Sequence, residues 1–223
     1  MNKNQLNATE LVVLDQLFST GVHLGHRTSK WNNKMTPYLF GTRNNIHIIN
    51  LEKTISLLRR VIKIISNLVK NNETILIVGN SESNSNFVRF LGEKFEVPYV
   101  CNKWIGGILS NWEDFSKKVQ NTKVKRRVTH FTTGLRFMKK KPSIAIILNT
   151  NENKEAIKEI YKLNIPIIGI VDTDSSLVNI SYPIPGNDNS PVVQYFYITI
   201  LENILVKTPK LKKNKLIINE KRI

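Results

Sequence analysis

The sequence predicts an α/β domain: a mainly parallel sheet of about five strands with helices on both faces. Short apolar runs of strand length, such as Thr74–Val78 and Ile165–Val171, recur along the chain. Between them lie longer segments whose apolar residues repeat at helical spacing. The two kinds alternate, which is the pattern of βαβ units.

In chain order, Thr9–Ser19 reads as a short helix, with Thr9 as cap, Leu11, Val12, Leu14, Leu17 and Phe18 as its apolar set and Gly21 as its stop. Gly21–Asn50 reads as a polar, basic loop broken by Pro37 and Gly41 and ending in a strand, Ile46–Asn50. Leu51–Asn71 is the clearest helix, with Ile55, Leu58, Ile62 and Ile65 on one stripe and Glu52 favouring the first turn. Thr74–Val78 is a buried strand, Ser83–Phe95 a helix capped by Ser81 or Ser83, and Val97–Cys101 a third strand. Asn102–Asn111 is a loop around Gly106 and Gly107, and Trp112–Val119 opens another helix. Ser143–Leu148 is a strand, Asn153–Leu163 a helix capped by Asn151 or Asn153, and Ile165–Val171 a strand. Asp172–Asn189 reads as irregular around Pro183, Pro185 and Gly186, and Pro191–Val206 as a last helix with proline in its first turn. The expected organisation is one α/β domain over 1–206, a basic helical or loop insertion at 113–142 within it, and a basic tail at 207–223.

The formal charge is +16 on 223 residues, 41% of them apolar. The apolar share suffices for a full core, and the charge points to a polyanionic partner. Gly21–Asn50 supplies about +4, Lys117–Lys141 about +10 and Lys207–Ile223 about +6, so the remaining body is slightly acidic. Cations gathered on loops and extensions favour multi-point contact with nucleic acid over a generic lysine-rich surface. Membrane binding, the competing use of basic charge, needs an amphipathic helix that neither Arg136–Lys141 nor the Pro209-broken tail provides. No run approaches the length of a membrane span. The single cysteine, Cys101, lies in an apolar run and reads as a buried, inert thiol in a reducing compartment.

Catalytic chemistry is hard to assemble. His23 and His26 stand at metal-ligand spacing with no carboxylate or cysteine nearby in sequence to complete a site. Asp172 and Asp174 at a strand end suit either an acidic site or the capping of a loop. Phosphate-loop, dinucleotide and nucleophile-elbow motifs are absent, so no cofactor, metal or catalytic group is expected. Aromatics among cations can stack on RNA bases or anchor loops. Both readings stay open for Trp31, while Trp104 and Trp112 read as core anchors.

Seven runs, in order and register over about residues 10–206, resemble one family, the bacterial and organellar form of the second protein of the small ribosomal subunit. They are Gly21–His26, Trp31–Met35, Phe40–Asn44, His47–Thr54, Trp104–Trp112, Asn164–Thr173 and Ile184–Asp188. The resemblance implies a flavodoxin-like sheet carrying a protruding helical hairpin and no catalytic activity. It implies a structural subunit seated on small-subunit rRNA between head and body, among neighbouring ribosomal proteins and near the path by which mRNA leaves. Family members carry a longer coiled-coil insertion after the segment matching Leu109–Trp112, so the hairpin here is expected to be shortened or remodelled.

The expected phosphate and base contacts are Arg27, Lys30, Trp31, Asn32, Lys34, Arg43, Asn44 and Lys103. The insertion adds Lys117, Lys118, Lys123, Lys125, Arg126, Arg127, Arg136, Lys139, Lys140 and Lys141. Asn, Ile and Lys make up about a third of the chain, a bias of AT-rich coding. With no secretory or import pattern over the first residues, this points to an organelle-encoded protein of the mitochondrial ribosome, with plastid or bacterial cytoplasm as alternatives. The competing functions are a flavodoxin-like nucleotide-binding enzyme and an RNA-binding protein outside the ribosome.

Overall fold

The computed structural model describes residues 8–114 and 133–206. Two sheets are present. The larger holds five parallel strands: β4 (Ile75–Val78), β5 (Tyr99–Val100), β6 (Ile144–Ile147), β7 (Ile167–Val171) and β8 (Tyr182–Pro185). Their spatial order is β5-β4-β6-β7-β8. Counted within this sheet that is 2-1-3-4-5, the flavodoxin-like order. The smaller sheet is antiparallel, ordered β1-β3-β2 from β1 (Leu24–Arg27), β2 (Leu39–Arg43) and β3 (Ile46–Ile49).

The expected strand count holds, but its membership changes. Ile46–Ile49 leaves the parallel sheet for the small one. Its place is taken by β8, inside the stretch read as irregular. Pro183 and Pro185 hid that strand, because proline cannot donate to a ladder. Here they are tolerated because β8 is an edge strand with only β7 beside it.

Gly21–Asn50 is therefore no plain loop. Asn44 and Asn45 both take positive φ, 50° and 59°, and form a tight hairpin turn between β2 and β3. Asparagine tolerates that region better than other side chains bearing a Cβ.

Five described helices flank the parallel sheet: α1 (Ala8–Thr20), α2 (Leu51–Lys70), α3 (Ser85–Phe95), α4 (Lys154–Lys162) and α5 (Pro191–Val206). Thr9 lies inside α1 rather than capping it. Phe18 points outward and stacks on the His23 ring with centroids 4.4 Å apart. Asn50 caps α2, its side chain accepting the amides of Glu52 and Lys53. The N-cap of α3 is Asn84, not Ser81 or Ser83, and its side chain makes no capping bond. Ser83 instead donates to Gln194 of α5 at 2.7 Å. Asn153 does hold the N-cap position of α4, but its amide turns back to the Asn149 carbonyl and to Asn80.

The core has two layers. One face of the sheet packs Ile75, Ile77, Ile144 and Ile146 against α2, α3 and α5. The other packs Leu76, Val78, Ala145 and Ile147 against α4 and the Trp104–Leu109 loop. Cys101 is buried, as expected, with an Arg89 guanidinium nitrogen 3.8 Å from its sulfur. No helix among the described residues is long and apolar enough to cross a membrane. Chain direction turns helical at 112–114. The expected helix to Val119, most of the insertion and the tail lie outside the described residues.

The two sheets meet where Gly25 of β1 lies on Thr173, just past β7. A Cβ at Gly25 would fall well inside contact distance of the Thr173 side chain and 3.1 Å from the His47 carbonyl. Gly25→Ala is therefore expected to destabilise the fold by about 1–3 kcal/mol through overpacking, read as a lowered thermal midpoint.

Candidate nucleic-acid interface

The basic segment is held rigidly from below. Thr173 accepts the His26 amide through Oγ1 and the Asn32 amide through its carbonyl, each at 2.8 Å. The Asn32 side chain donates to the Ser175 carbonyl at 2.9 Å, and the Asn187 amide to the Val22 carbonyl at 3.1 Å. His47 is buried in β3 and carries the tilted Trp31 ring, centroids 4.7 Å apart. Trp31 is half-buried there, and Asn32 acts as an anchor whose Oδ1 also accepts the Lys34 amide.

Around this anchored base the side chains of Arg27, Lys30, Lys34, Arg43 and Asn44 are exposed. Lys103, Lys139 and Lys141 are exposed elsewhere. Arg136 and Lys140 are exposed too, but each is paired with an acid of the body, Arg136 with Glu93 and Lys140 with Glu73. Lys117, Lys118, Lys123, Lys125, Arg126 and Arg127 lie outside the described residues.

His23 and His26 part company. Burial lowers the pKa of His23 beside Phe18. The fold brings His26 the carboxylates it lacks in sequence: Nδ1 lies 3.2 Å from Asp172 and 3.6 Å from Asp174. These three donor atoms sit within 4.8 Å of one another. That mixed nitrogen and oxygen set could take a divalent ion, and it equally satisfies an imidazolium. Nε2 meets the Asn189 amide at 2.9 Å. Asp172 also behaves as a capping aspartate, accepting the amides of Thr173 and Asp188. The hydrogen bond to Asp172 raises His26 to about 9. Burial, then the charges of Asp172 and Asp174, push Asp188 up to about 8.

Nucleotide-binding sheets of this order take ligand where the strand sequence reverses, here between β4 and β6. Asn153 spans that gap, donating to Asn80 at 2.9 Å and to the Asn149 carbonyl at 2.8 Å. Over the end of β4, a Cβ on Gly79 would meet Val88 and Asn84. The ends of β4 and β6 are thus bridged across the crevice by the chain's own side chains.

Sequence reading missed Glu159. Its carboxylate accepts Trp104 Nε1 and the amides of Gly107, Leu109 and Ser110 at 2.9–3.0 Å, and the Ser110 hydroxyl at 3.1 Å. Gly107 takes φ +86°, which turns its amide to the carboxylate. Trp104 is thus a core anchor, as expected, and the double glycine shapes a loop around a protein carboxylate rather than a phosphate. Burial alone would raise the Glu159 pKa, but the donors of Ser110, Trp104, Leu109 and Gly107 outweigh it and lower it. One signal was available: Glu159 stands three residues after the inward-facing Ala156, at the margin of the buried face of α4.

The family model described as ribosomal protein S2 matches residues 17–129 and 116–207. The chain is similar to the small ribosomal subunit protein uS2 of Bartonella henselae, 36% identical over 200 residues, covering 79% of this chain and 78% of that protein. It is also similar to the uS2 proteins of Gluconobacter oxydans, 34% over 198 residues covering 78% and 75%, and of Rickettsia typhi, 35% over 202 residues covering 79% and 68%.

Glu159→Ala leaves five donors without their acceptor and is expected to destabilise the protein by ~2–3 kcal/mol; unchanged urea unfolding would remove the carboxylate from its organising role. For His26 the folded value lies above the unfolded ~6.5, so its contribution is full below that value and lost as pH rises through about 9. In chelator-treated protein, His26→Gln is expected to lower the melting temperature at pH 6, with the gap to the parent closing by pH 9–10.

Proposed function

The chain belongs to the ribosomal protein S2 family, and from that membership we infer a structural constituent of the small ribosomal subunit, in contact with rRNA and other ribosomal proteins. It is not an enzyme. The observation that carries this reading is the family match across both halves of the chain, 17–129 and 116–207. The flavodoxin-like alternative shares the sheet order, but its ligand crevice is bridged by Asn80, Asn149 and Asn153.

Within that role, Arg27, Lys30, Lys34 and Arg43 neutralise rRNA phosphates, while Trp31 and Asn32 hold the segment that presents them and Asn44 shapes its hairpin tip. The basis is geometric: exposed cations on a small sheet with a buried anchor can meet a polyanion without a large ordering penalty. Lys103 and the insertion cations, Lys117 to Arg127 with Lys139 and Lys141, extend the contact, and Arg136 and Lys140 join it by exchanging their carboxylate partners for phosphate. The seat lies between head and body of the subunit, near the mRNA exit. The domain layout is one α/β unit over 1–206, with the 113–142 insertion and the 207–223 tail as basic extensions.

The relatives compared above are bacterial, so the ribosome is of the bacterial type. Placement in a mitochondrion rests on the Asn, Ile and Lys bias of the sequence; plastid and bacterial cytoplasm compete with it, and cell fractionation followed by detection of the protein decides.

The tagged protein is expected to sediment with the small subunit, without a major free pool. A large free pool would favour an RNA-binding role outside the ribosome. Binding to small-subunit rRNA is expected to weaken steeply with salt, and changing Lys30, Lys34 and Arg43 together to alanine is expected to reduce the salt slope by about 2–3. An unchanged slope removes these three as phosphate contacts.

A further inference from the structure

Helix α2 buries Thr54, Ile55, Leu58, Val61 and Ile65 on one side. On the other, Lys53, Arg59, Arg60, Lys63 and Lys70 are all exposed. At about 100° per residue these five fall within one arc of about 120°, spread along roughly 25 Å of helix. Ser56 and Asn67 fill the same arc, and the only acid on the helix is Glu52 in its first turn.

An exposed helix face is commonly a solvated face, and three observations separate this one from that reading. Three exposed cations elsewhere are matched by glutamates, Lys94 by Glu202, Arg136 by Glu93 and Lys140 by Glu73. Among the described residues no carboxylate pairs with Arg60, Lys63 or Lys70. The charge is also local. Helix α2 carries +4, while the rest of the chain outside it, the 21–50 segment, the 117–141 run and the tail carries −8. Finally, the face continues the basic segment, because the Lys53 ammonium donates to the Pro37 carbonyl in the 3-10 turn that carries Lys34. At the middle of the face the exposed Arg60 has its guanidinium carbon 5.7 Å over the Tyr182 ring of β8.

We infer that the outward face of α2 is a second phosphate-binding surface, which lies along the backbone of structured rRNA beside the β1–β2 cations. This inference rests on the ribosomal reading above. A row of cations on a rigid helix tracks a polyanion backbone without selecting its sequence, and it extends the contact area of the short basic segment.

The test uses the full chain, small-subunit rRNA and a salt series. The triple variant R60Q/K63Q/K70Q is expected to bind roughly tenfold more weakly near physiological salt, with the slope of log affinity against log salt reduced by about 2–3. The charge-keeping variant R60K/K63R/K70R is expected to bind like the parent, which separates charge from folding. Parent-like affinity and slope in the glutamine variant, while K30A/K34A/R43A weakens binding, would overturn the α2 surface and leave the ribosomal reading intact. A parent protein that binds no rRNA would overturn both. Loss of binding to phosphatidylserine vesicles in the glutamine variant, with rRNA binding unchanged, would assign the face to a membrane and overturn the inference.

Discussion

The exposed cations of Gly21–Asn50 depend on one junction, the turn Asp172–Thr173–Asp174 at the end of β7. The turn is built from the buried sheet, so it is rigid. Thr173 takes two backbone amides of the N-terminal segment, Asp172 pairs with His26, and Ser175 holds the Asn32 side chain. Gly25 is the residue that lets the strands approach this closely. A three-stranded sheet of short strands has little stability of its own. Docked on this turn, it becomes a fixed platform on which exposed cations keep their positions.

A second carboxylate plays a comparable part on the opposite layer. Glu159 gathers the amides of the 107–110 turn and the Trp104 indole, and so fixes the stretch from which the basic insertion departs. Each hydrogen bond to a charged acceptor is stronger than a neutral one, and this carboxylate accepts five. The 21–50 segment and the stretch that leads into the insertion are thus each tied to an acid of the body. Acids and cations divide the work: acids inside tie loops to the sheet, cations outside remain for a partner.

The charge map sharpens that division. Assigning the whole positive excess to the segment at 21–50, the insertion and the tail misses α2, because the helix was read for its apolar stripe. A stripe fixes which side is buried, and by geometry also which residues face out. The outward set of Lys53, Arg59, Arg60, Lys63 and Lys70 was therefore legible at the level of a helical wheel. Its meaning needed the neighbours: Pro37 at one end, Tyr182 in the middle, and the glutamates that pair with cations elsewhere but not with Lys63 or Lys70.

The sequence by itself determined the fold class, the four interior-facing strand runs at Thr74, Val97, Ser143 and Ile165, and every described helix to within a residue or two. It did so because apolar periodicity reports burial locally. It also determined the family, through runs spread over the chain. Tertiary structure alone decided the rest. Strand β8 was hidden by its prolines and exists because β7 offers an edge. The small sheet exists because the Asn44–Asn45 turn folds β2 onto β3 and the β7 turn receives β1. His26 gained its carboxylates, and Glu159 its five donors, across separations of 49 to 148 residues. Hydrogen bonds and ion pairs act over a few ångströms in space, and sequence spacing carries no record of which distant residues the sheet order will bring together.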